Sequence, residues 1–220
     1  MARPKLLDLF CGAGGASAGY DAAGFDVTGV DIKPQVRYPF RFIEADALTF
    51  PLEGYEVVHA SPPCQAYSQA RHMRGYEHPD LIPPTRKRLQ AWGGPWIMEN
   101  VPGSPLETFI TLCGLALGLN VKRHRWFESN VAFLVPGCPR KHPGDWVSVF
   151  GHAVFGRGRA AGKTKGGHNS ISRPHLGLQL GQESMGIGWM TMRELSEAIP
   201  PAYTEFLGGQ LIGSLRSAAD

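Results

Sequence analysis

The sequence has no long apolar run and few cysteines. No stretch of about 18 consecutive apolar residues occurs, so no transmembrane helix is predicted. The N-terminal residues MARPKLLDLF lack the apolar segment and small-residue cleavage site of a secretory signal peptide. Four cysteines among 220 residues are too few and too scattered for a disulfide scaffold. These absences predict a soluble, cytoplasmic protein with reduced thiols and no membrane partner.

The chain also has little net charge, but that charge is unevenly distributed. The formal net charge is +3, which is too small to indicate nucleic-acid binding by itself. From Glu128 to Gly181 the chain carries seven basic and two acidic residues, whereas the remainder has a net charge of −2. The same stretch contains GHAVFGRGRAAGKTKGGHNS, which is rich in glycine and has little periodicity. This segment is interpreted as a contact for a polyanion, with a solvated surface loop as the alternative.

The order of apolar segments predicts an α/β fold with a largely parallel sheet. With 43% hydrophobic residues, the chain can build one packed domain. After a short apolar run come a glycine-rich turn, an Ala-rich helix that ends near Gly24, and a second strand. Near the C-terminus, Thr191 and Glu194 form a capping-box pattern, and Pro201 suits the first turn of a last helix. Strands are predicted at 5–9, 26–30, 40–45, 55–60, 96–100 and 121–127, and helices at 81–92 and 107–118.

A glycine-rich turn follows the first predicted strand. Gly12 and Gly14 lie in this turn, and Asp31 ends the next strand, 19 residues after Gly12. Glycines let a backbone approach a ligand closely, and a carboxylate in that place accepts hydrogen bonds from ribose hydroxyls. No Lys-Ser/Thr pair follows, which disfavours a phosphate-binding P-loop. The pattern predicts a nucleoside cofactor, with Asp46 placed to accept from an adenine amine; a simple tight turn is the alternative.

The cysteine in SPPCQ is the sharpest chemical signal. Two prolines stiffen the chain and place Cys64 on a loop after a predicted strand, where open α/β sheets bind ligands. A thiolate is a nucleophile, and it needs electropositive surroundings. Cys11, Cys113 and Cys138 are interpreted as structural, with Cys113 in an apolar helical stretch. The spacing of Cys138 and His142 suits zinc, but no second pair appears at ligand spacing, so no metal site is predicted.

Two further clusters carry side chains that are suited to binding a nucleobase. Glu99 and Asn100 end the strand WIMEN, and a protonated carboxyl in a closed pocket can donate a proton to a ring nitrogen. In RHRWF, strand alternation places Arg123, Arg125 and Phe127 on one face, so both guanidinium groups are expected to point at one ligand. Such arginines bind a base carbonyl or a phosphate and favour a nearby thiolate. A solvated Glu with a turn Asn, and a basic edge strand in water, are the structural alternatives.

The motifs in their order resemble a known family. The chain reads DLFCGAGG, GVD, EADA, SPPCQ, ENV and RHRWF, followed by the basic insert and AIPP. This series resembles the DNA (cytosine-5)-methyltransferase family over residues 5–130 and 185–212. The resemblance implies a Rossmann-like S-adenosylmethionine-dependent methyltransferase domain with a small, irregular target-recognition insert. Such compact forms look most like those of bacteriophages and prophages, which implies a bacterial or phage-infected cytoplasm.

The resemblance also implies domain limits and residue roles. Residues 1–128 would form the catalytic domain, 129–184 a target-recognition region and 185–220 the returning helices. Because about 55 residues is close to the size at which an independent core becomes marginal, the middle region is expected to be loosely ordered, with short or relaxed DNA specificity. Double-stranded DNA would be the partner, bound with its target cytosine flipped out, and no obligate protein partner is implied. The implied catalytic residues are the nucleophile Cys64, the proton donor Glu99, and Arg123 and Arg125. S-Adenosylmethionine would contact Phe10, Gly12, Gly14, Asp31, Asp46 and Pro63. The nucleic acid would contact Gln65, Ser68, Arg71, Arg74, Asn100, Arg157, Arg159, Lys163 and Lys165.

The chain departs from the family pattern at two places, and other functions stay open. Val121 stands where the family usually has Gln, and Glu197-Ala198-Ile199-Pro200-Pro201 stands in place of Asn-Ala-Val-Pro-Pro. A tRNA-directed branch resembles the DNA enzymes, so an RNA cytosine-5 methyltransferase is the main alternative. A non-catalytic DNA-binding protein of the same fold, transfer of another group, and action on a modified cytosine are the others.

Overall fold

The expected α/β architecture is confirmed in a computed structural model. It describes residues 2–65, 67, 79–139, 141–142, 146–150, 153–157, 169–170 and 174–217. No helix in these ranges is long and apolar enough to cross a membrane. The strands are β1 (Lys5–Leu9), β2 (Asp26–Asp31), β3 (Arg41–Glu44), β4 (Val57–Ala60), β5 (Trp96–Asn100), β6 (Phe109–Cys113), β7 (His124–Ser129), β8 (Trp146–Phe150), β9 (Ala153–Arg157) and β10 (Asn169–Ser170). The helices are α1 (Gly15–Ala23), α2 (Ile82–Trp92), α3 (Pro174–Met185), α4 (Met192–Glu197) and α5 (Pro201–Ser217).

The main sheet has seven strands in the order β3-β2-β1-β4-β5-β7-β6. The first five are parallel, whereas β7 is antiparallel to both β5 and β6. Apolar runs such as Leu6-Leu7 and Val57-Val58 send alternate side chains to two cores, one beneath α1 and α5 and the other beneath α2. Burial on both faces is the usual condition of parallel strands and explains why these runs do not alternate with polar residues. The carboxyl ends of the parallel strands therefore meet at one edge.

One predicted helix is wrong. Residues 107–118 form β6 and a short 3₁₀ helix over Gly114–Leu117. The sequence FITLC is rich in β-branched and aromatic residues, and pairing with β7 satisfies its backbone from Phe109 to Cys113. Cys113 consequently ends a strand and does not lie in a helix. The predicted strand 121–127 is shifted as well, because β7 begins at His124.

The C-terminal helices begin where the sequence signals them. The Thr191 side chain accepts from the Glu194 amide while the Glu194 carboxylate accepts from the Thr191 amide, so the capping box opens α4. Pro201 is the first residue of α5. The basic segment is more regular than expected, since β8, β9 and β10 form a second sheet and Val147, Val149 and Val154 are buried with residues of α3 and α4. For the strands that the structure describes, this packing corrects the expectation of an irregular insert, whereas the expected loose order stays a prediction.

A close contact between α1 and α5 gives a test of the fold. A Cβ added at Gly19 would overlap the Pro201 carbonyl and the Thr204 hydroxyl, both in the first turn of α5. We expect Gly19→Ala to lower the free energy of unfolding by about 2 kcal/mol or more, because overpacking forces a backbone shift. The measurement is urea unfolding followed by circular dichroism.

Gly209→Ala is the matched control for this contact. It adds the same methyl group on α5, where nothing lies within 4 Å of the new Cβ. Replacing glycine in a helix interior by alanine is expected to raise stability by up to about 1 kcal/mol. Equal effects of the two substitutions would contradict the packing described here.

Candidate active site

The predicted motifs meet in one cleft at the carboxyl edge of the main sheet. Its volume is about 360 Å³. Loops after β1, β2, β4 and β5 form one part of its wall, and residues 194–199 at the end of α4 form another. Ten residues predicted from the sequence line it: Phe10, Gly12, Asp31, Asp46, Pro63, Cys64, Gln65, Glu99, Asn100 and Arg125. Chain segments far apart in the sequence thus converge on a single site.

The turn after β1 holds one end of the cleft in a fixed shape. Gly12 donates its amide hydrogen to Asp31 Oδ2 at 3.1 Å, and Lys33 donates to Asp31 Oδ1 at 3.1 Å. These two hydrogen bonds, both from backbone amides, orient the Asp31 carboxylate, whose oxygens keep further lone pairs for a ligand. Gly12 has a φ of +50°, and a Cβ there would meet nothing within 4 Å, so the missing side chain leaves part of the cleft open.

Phe10 and Gly14 take unusual backbone conformations for different reasons. Phe10 lines the cleft with a φ of +58°, a left-handed conformation that a bulky residue rarely adopts and that often marks a functional turn. Gly14 has a φ of +85° and caps α1, and a Cβ there would press against Tyr38. Gly14 is not among the residues that line the cleft. This glycine therefore shapes the turn against Tyr38, and its predicted contact with the cofactor stays a prediction.

Asn100 positions the loop that carries Cys64. Its side chain is buried, and it donates to the Pro62 carbonyl at 2.8 Å while its Oδ1 accepts from the Val101 amide at 2.9 Å. The amide predicted to bind substrate is thus occupied within the protein. Its bond to Pro62, two residues before Cys64, fixes the stiff Pro-Pro segment relative to β5.

Cys64 is a partly buried thiol with charged neighbours of both signs. Burial raises the pKa of the Cys64 thiol, Arg125 opposes that rise, and Glu99 and Glu197 add to it. The sequence predicted electropositive surroundings, and Arg125 supplies them only in part. The resting form is therefore the thiol, and a thiolate forms once its proton has been removed.

Glu99 and Arg125 form an ion pair inside the cleft. Arg125 Nε lies 2.9 Å from Glu99 Oε1, and both side chains are nearly buried. Burial raises the pKa of Glu99 above its ordinary value, while Arg125, a Ser61 hydrogen bond and Arg123 oppose the rise. Burial thus favours the protonated form of Glu99, which can donate a proton to a basic atom bound in the cleft.

A chain of hydrogen-bonded polar side chains behind Glu99 was not predicted from the sequence. His59 on β4 lies 3.0 Å from the Tyr20 hydroxyl through Nδ1 and 2.9 Å from the Ser61 hydroxyl through Nε2. Burial lowers the pKa of His59 to about 3, so the imidazole is neutral and one ring nitrogen accepts a hydrogen bond. Ser61 in turn hydrogen-bonds Glu99. Only the position of Ser61 beside Pro62 and Cys64 could have signalled this chain.

Arg123 does not share a ligand with Arg125. Its buried guanidinium donates to the carbonyl oxygens of Val149 and Ser196, the second at 2.8 Å. Burial lowers the pKa of Arg123 to about 9. Arg123 is not among the residues that line the cleft. The prediction that both guanidinium groups point at one ligand is wrong: Arg123 ties β8 and α4 to the start of β7, because backbone carbonyls are its nearest acceptors.

The two departures from the family pattern have structural explanations. Val121 is fully buried beside Val147, in the core between the second sheet and α3 and α4, where an apolar side chain packs without an unsatisfied amide. Glu197, Ala198 and Ile199 all line the cleft. The altered C-terminal motif therefore still reaches the site.

The structure describes only some of the predicted nucleic-acid contacts. Besides the buried Asn100, these are Gln65, which is exposed at the rim of the cleft, and residue 157, which lies on β9. The other candidates lie outside the described residues: Ser68, Arg71, Arg74, Arg159, Lys163 and Lys165.

The reactivity of Cys64 should report its surroundings. Because burial raises the thiol pKa, alkylation of Cys64 by iodoacetamide should keep accelerating above the ordinary thiol pKa of about 8.5. Arg125→Gln should move this profile to higher pH, whereas Arg125→Lys, which keeps the charge, should move it less. Peptide mass spectrometry separates Cys64 from the other three cysteines. Identical profiles for the wild type and Arg125→Gln would contradict the electrostatics described here.

The N-terminal part of the chain, which carries most of these features, is similar to a known protein family. Residues 4–103 match the family model of C-5 cytosine-specific DNA methylases. This match contains the turn after β1, Asp31, Cys64 and Glu99. No curated protein sequence matches the chain significantly.

Solved structures show the same fold at low sequence identity. A prophage-encoded E. coli protein described as a DNA modification methyltransferase superposes with a TM-score of 0.65 at 15% identity, covering 97% of this chain and 99% of its own. The Dnmt2 methyltransferase of S. pombe superposes with a TM-score of 0.62 at 13% sequence identity, covering 97% of this chain and 99% of its own. The Entamoeba histolytica methyltransferase EhMeth superposes with a TM-score of 0.61 at 10% sequence identity, covering 98% of this chain and 99% of its own.

Proposed function

We propose that this protein methylates C5 of cytosine in double-stranded DNA, since residues 4–103 match the family model of C-5 cytosine-specific DNA methylases. The observation that carries the proposal is the convergence of Cys64, Glu99 and Arg125 in the cleft that Gly12 and Asp31 also line. A nucleophile, a carboxyl with a raised pKa and a fixed cation are the groups that this reaction needs on the cytosine.

The family uses S-adenosylmethionine, and the residues of the cleft fit this cofactor. Asp31 presents an oriented carboxylate suited to ribose hydroxyls, and the open space at Gly12 admits a ligand against the backbone. Asp46 and Pro63 line the same cleft and complete the proposed binding residues with Phe10. The bound cofactor supplies an electrophilic methyl group.

The chain's own residues prepare the cytosine to accept that methyl group. The Cys64 thiolate forms a bond from Sγ to C6, and Glu99 donates its proton to N3, so the ring becomes an enamine with a nucleophilic C5. Arg125 stays beside Glu99 and stabilises the carboxylate left by this transfer. Once C5 carries the methyl group, water takes the C5 proton and the C6–Sγ bond breaks, with its electron pair returning to Cys64. N3 then gives its proton back to the Glu99 carboxylate, which restores both the neutral ring and the acid.

The proposed substrate is a cytosine turned out of a DNA duplex. A base inside a stacked helix lies out of reach of a thiol in a cleft, so the target must leave the stack. We assign residues 1–128 to catalysis, 129–184 to target recognition and 185–220 to the returning helices. The net positive charge of the middle segment supports a role in contacting phosphates.

Nucleoside mass spectrometry tests the function and the substrate together. Purified protein is incubated with S-adenosylmethionine and either unmethylated duplex DNA or unmodified tRNA, with Cys64→Ala as the control. The proposal predicts 5-methyldeoxycytidine in the DNA and none with the variant. Methylcytidine in tRNA alone would overturn the DNA assignment while keeping the chemistry. No product on either substrate would overturn both.

A further inference from the structure

We propose that Cys113, His124, Cys138 and His142 form a structural zinc site outside the cleft. Their ligand atoms all lie within 4.8 Å of one another. None of the four residues lines the cleft described above. Two thiols and two imidazoles are a donor set typical of structural zinc, with all four coordination positions taken by protein.

The distances between these atoms suit a tetrahedral ion. Bond lengths of about 2.3 Å to sulfur and about 2.05 Å to nitrogen imply roughly 3.6 Å between sulfur and nitrogen ligands and 3.3 Å between two nitrogens. The observed Sγ to Nε2 distances are 3.5 Å for Cys113 and His142, 3.2 Å for Cys138 and His142, and 3.2 Å for Cys138 and His124. The two Nε2 atoms lie 3.1 Å apart. Small outward movements would complete the tetrahedron.

Hydrogen bonding alone explains this arrangement poorly. His142 Nε2 lies within 3.5 Å of Cys113 Sγ, Cys138 Sγ and His124 Nε2 at the same time. A single ring N–H can serve only one of these partners well, and a neutral imidazole has only one such proton to share between its two nitrogens. A divalent cation satisfies all four atoms together. Two thiolates also balance its charge, and their protons leave to solvent, which suits a largely buried site.

The fold brings the four ligands together from two sources. Cys113 and His124 are directly paired partners at the ends of β6 and β7. Cys138 and His142 lie on the loop that follows β7 and are separated by three residues. His142 has a φ of +41°, an uncommon conformation for a side chain of this size, and its carbonyl accepts from Trp146 Nε1 at 3.2 Å. This turn places the His142 imidazole against the strand pair, with Nε2 at 3.5 Å from Cys113 Sγ and 3.1 Å from His124 Nε2.

The proposed ion would anchor the second sheet, formed by β8, β9 and β10, to the main sheet. It would fasten the loop between β7 and β8 to β7 at the residue before Arg125, whose guanidinium pairs with Glu99. A closed coordination shell leaves no position for a substrate, so the role is structural. This inference does not depend on the proposed methyl transfer.

Metal analysis of the full-length protein tests the site. The protein is incubated with excess Zn²⁺, desalted and analysed by inductively coupled plasma mass spectrometry. We expect about one zinc per chain in the wild type and less than about a tenth of that in Cys138→Ser and His142→Gln, since removing one of four ligands weakens binding steeply. Cys64→Ser, which removes a thiol outside the cluster, should keep about one equivalent. Wild-type protein without zinc, or Cys138→Ser with a full equivalent, would overturn the proposal.

Two measurements on the unmutated protein keep the test valid if the variants fail to fold. Cobalt in place of zinc should give the visible absorption of a tetrahedral ion together with thiolate charge-transfer bands. Zinc should also protect Cys113 and Cys138 from alkylation until a chelator is added, while leaving Cys64 unaffected. Octahedral cobalt spectra, unprotected cysteines, or a disulfide between Cys113 and Cys138 in protein that binds no metal would each contradict the site.

Discussion

Cys64→Ser is expected to lower the rate of cytosine methylation by about 10⁴-fold or more, the loss typical of an essential nucleophile. Cytosine C5 is a poor nucleophile until a group adds at C6, and a serine hydroxyl ionises far less readily than a thiol. The rate is measured as tritium transferred from labelled S-adenosylmethionine to duplex DNA.

Binding measurements separate this loss from misfolding. Cys64 belongs to a loop fixed by the bond between Asn100 and Pro62, and serine preserves its size. The variant should therefore bind duplex DNA in a gel-shift assay as tightly as the wild type and unfold at a similar temperature. Methylation within tenfold of the wild-type rate would show that Cys64 is not the nucleophile.

Glu99→Gln is expected to lower the same rate by about 10²- to 10⁴-fold, the contribution typical of a general acid. The amide keeps the size of the side chain but cannot transfer a proton to N3. Since burial raises the pKa of Glu99, its acid form should persist to higher pH than that of an ordinary glutamate, and activity that depends on this acid should fall as the carboxyl ionises. The same tritium assay, run across pH, measures both effects.

Glu107→Gln is the control for a lost carboxylate. Its side chain is 68% exposed and lies 3.4 Å from Arg86, so it belongs to the surface. Its rate and pH profile should match those of the wild type. A Glu99→Gln variant that keeps the wild-type rate would show that another group protonates the base.

The fold was largely predictable because parallel strands leave a plain signal. Runs such as KLLDL and WIMEN are apolar enough to be buried on both faces, and β1 and β5 have the predicted bounds. The capping box at Thr191 and the proline at 201 gave the C-terminal helices for local reasons. Residues 107–118 were wrongly predicted as a helix because their apolar residues suit a helix or a strand. Only the pairing of β6 with β7 decides between the two.

The roles of individual polar side chains were harder to predict. Arg123 and Arg125 look equivalent in sequence, but Arg123 finds backbone carbonyls and Arg125 finds Glu99. Asn100 similarly ends β5 beside Glu99, but its side chain donates to the Pro62 carbonyl. Alternation along a strand gives the face of a side chain and not the partner that it meets there, because that partner comes from another part of the chain.

The proposed zinc ligands illustrate the same limit. Cys138 and His142 are close in sequence, whereas Cys113 and His124 are separated by ten residues and become neighbours only through antiparallel pairing. The pairing depends on β6 being a strand, which the sequence did not predict. A long-range ligand pair therefore left no short motif to find.

A covalent trap tests the central claim most directly. The protein is incubated with S-adenosylmethionine and a DNA duplex whose cytosines carry fluorine at C5. Because C5 then carries fluorine in place of hydrogen, no proton can be removed from it and elimination cannot occur. The bond from Cys64 Sγ to C6 should therefore persist. Mass spectrometry should then show a complex of protein and methylated oligonucleotide, with the linkage at Cys64. Methylation of ordinary duplex DNA without any trapped complex, or a linkage at another residue, would contradict the mechanism.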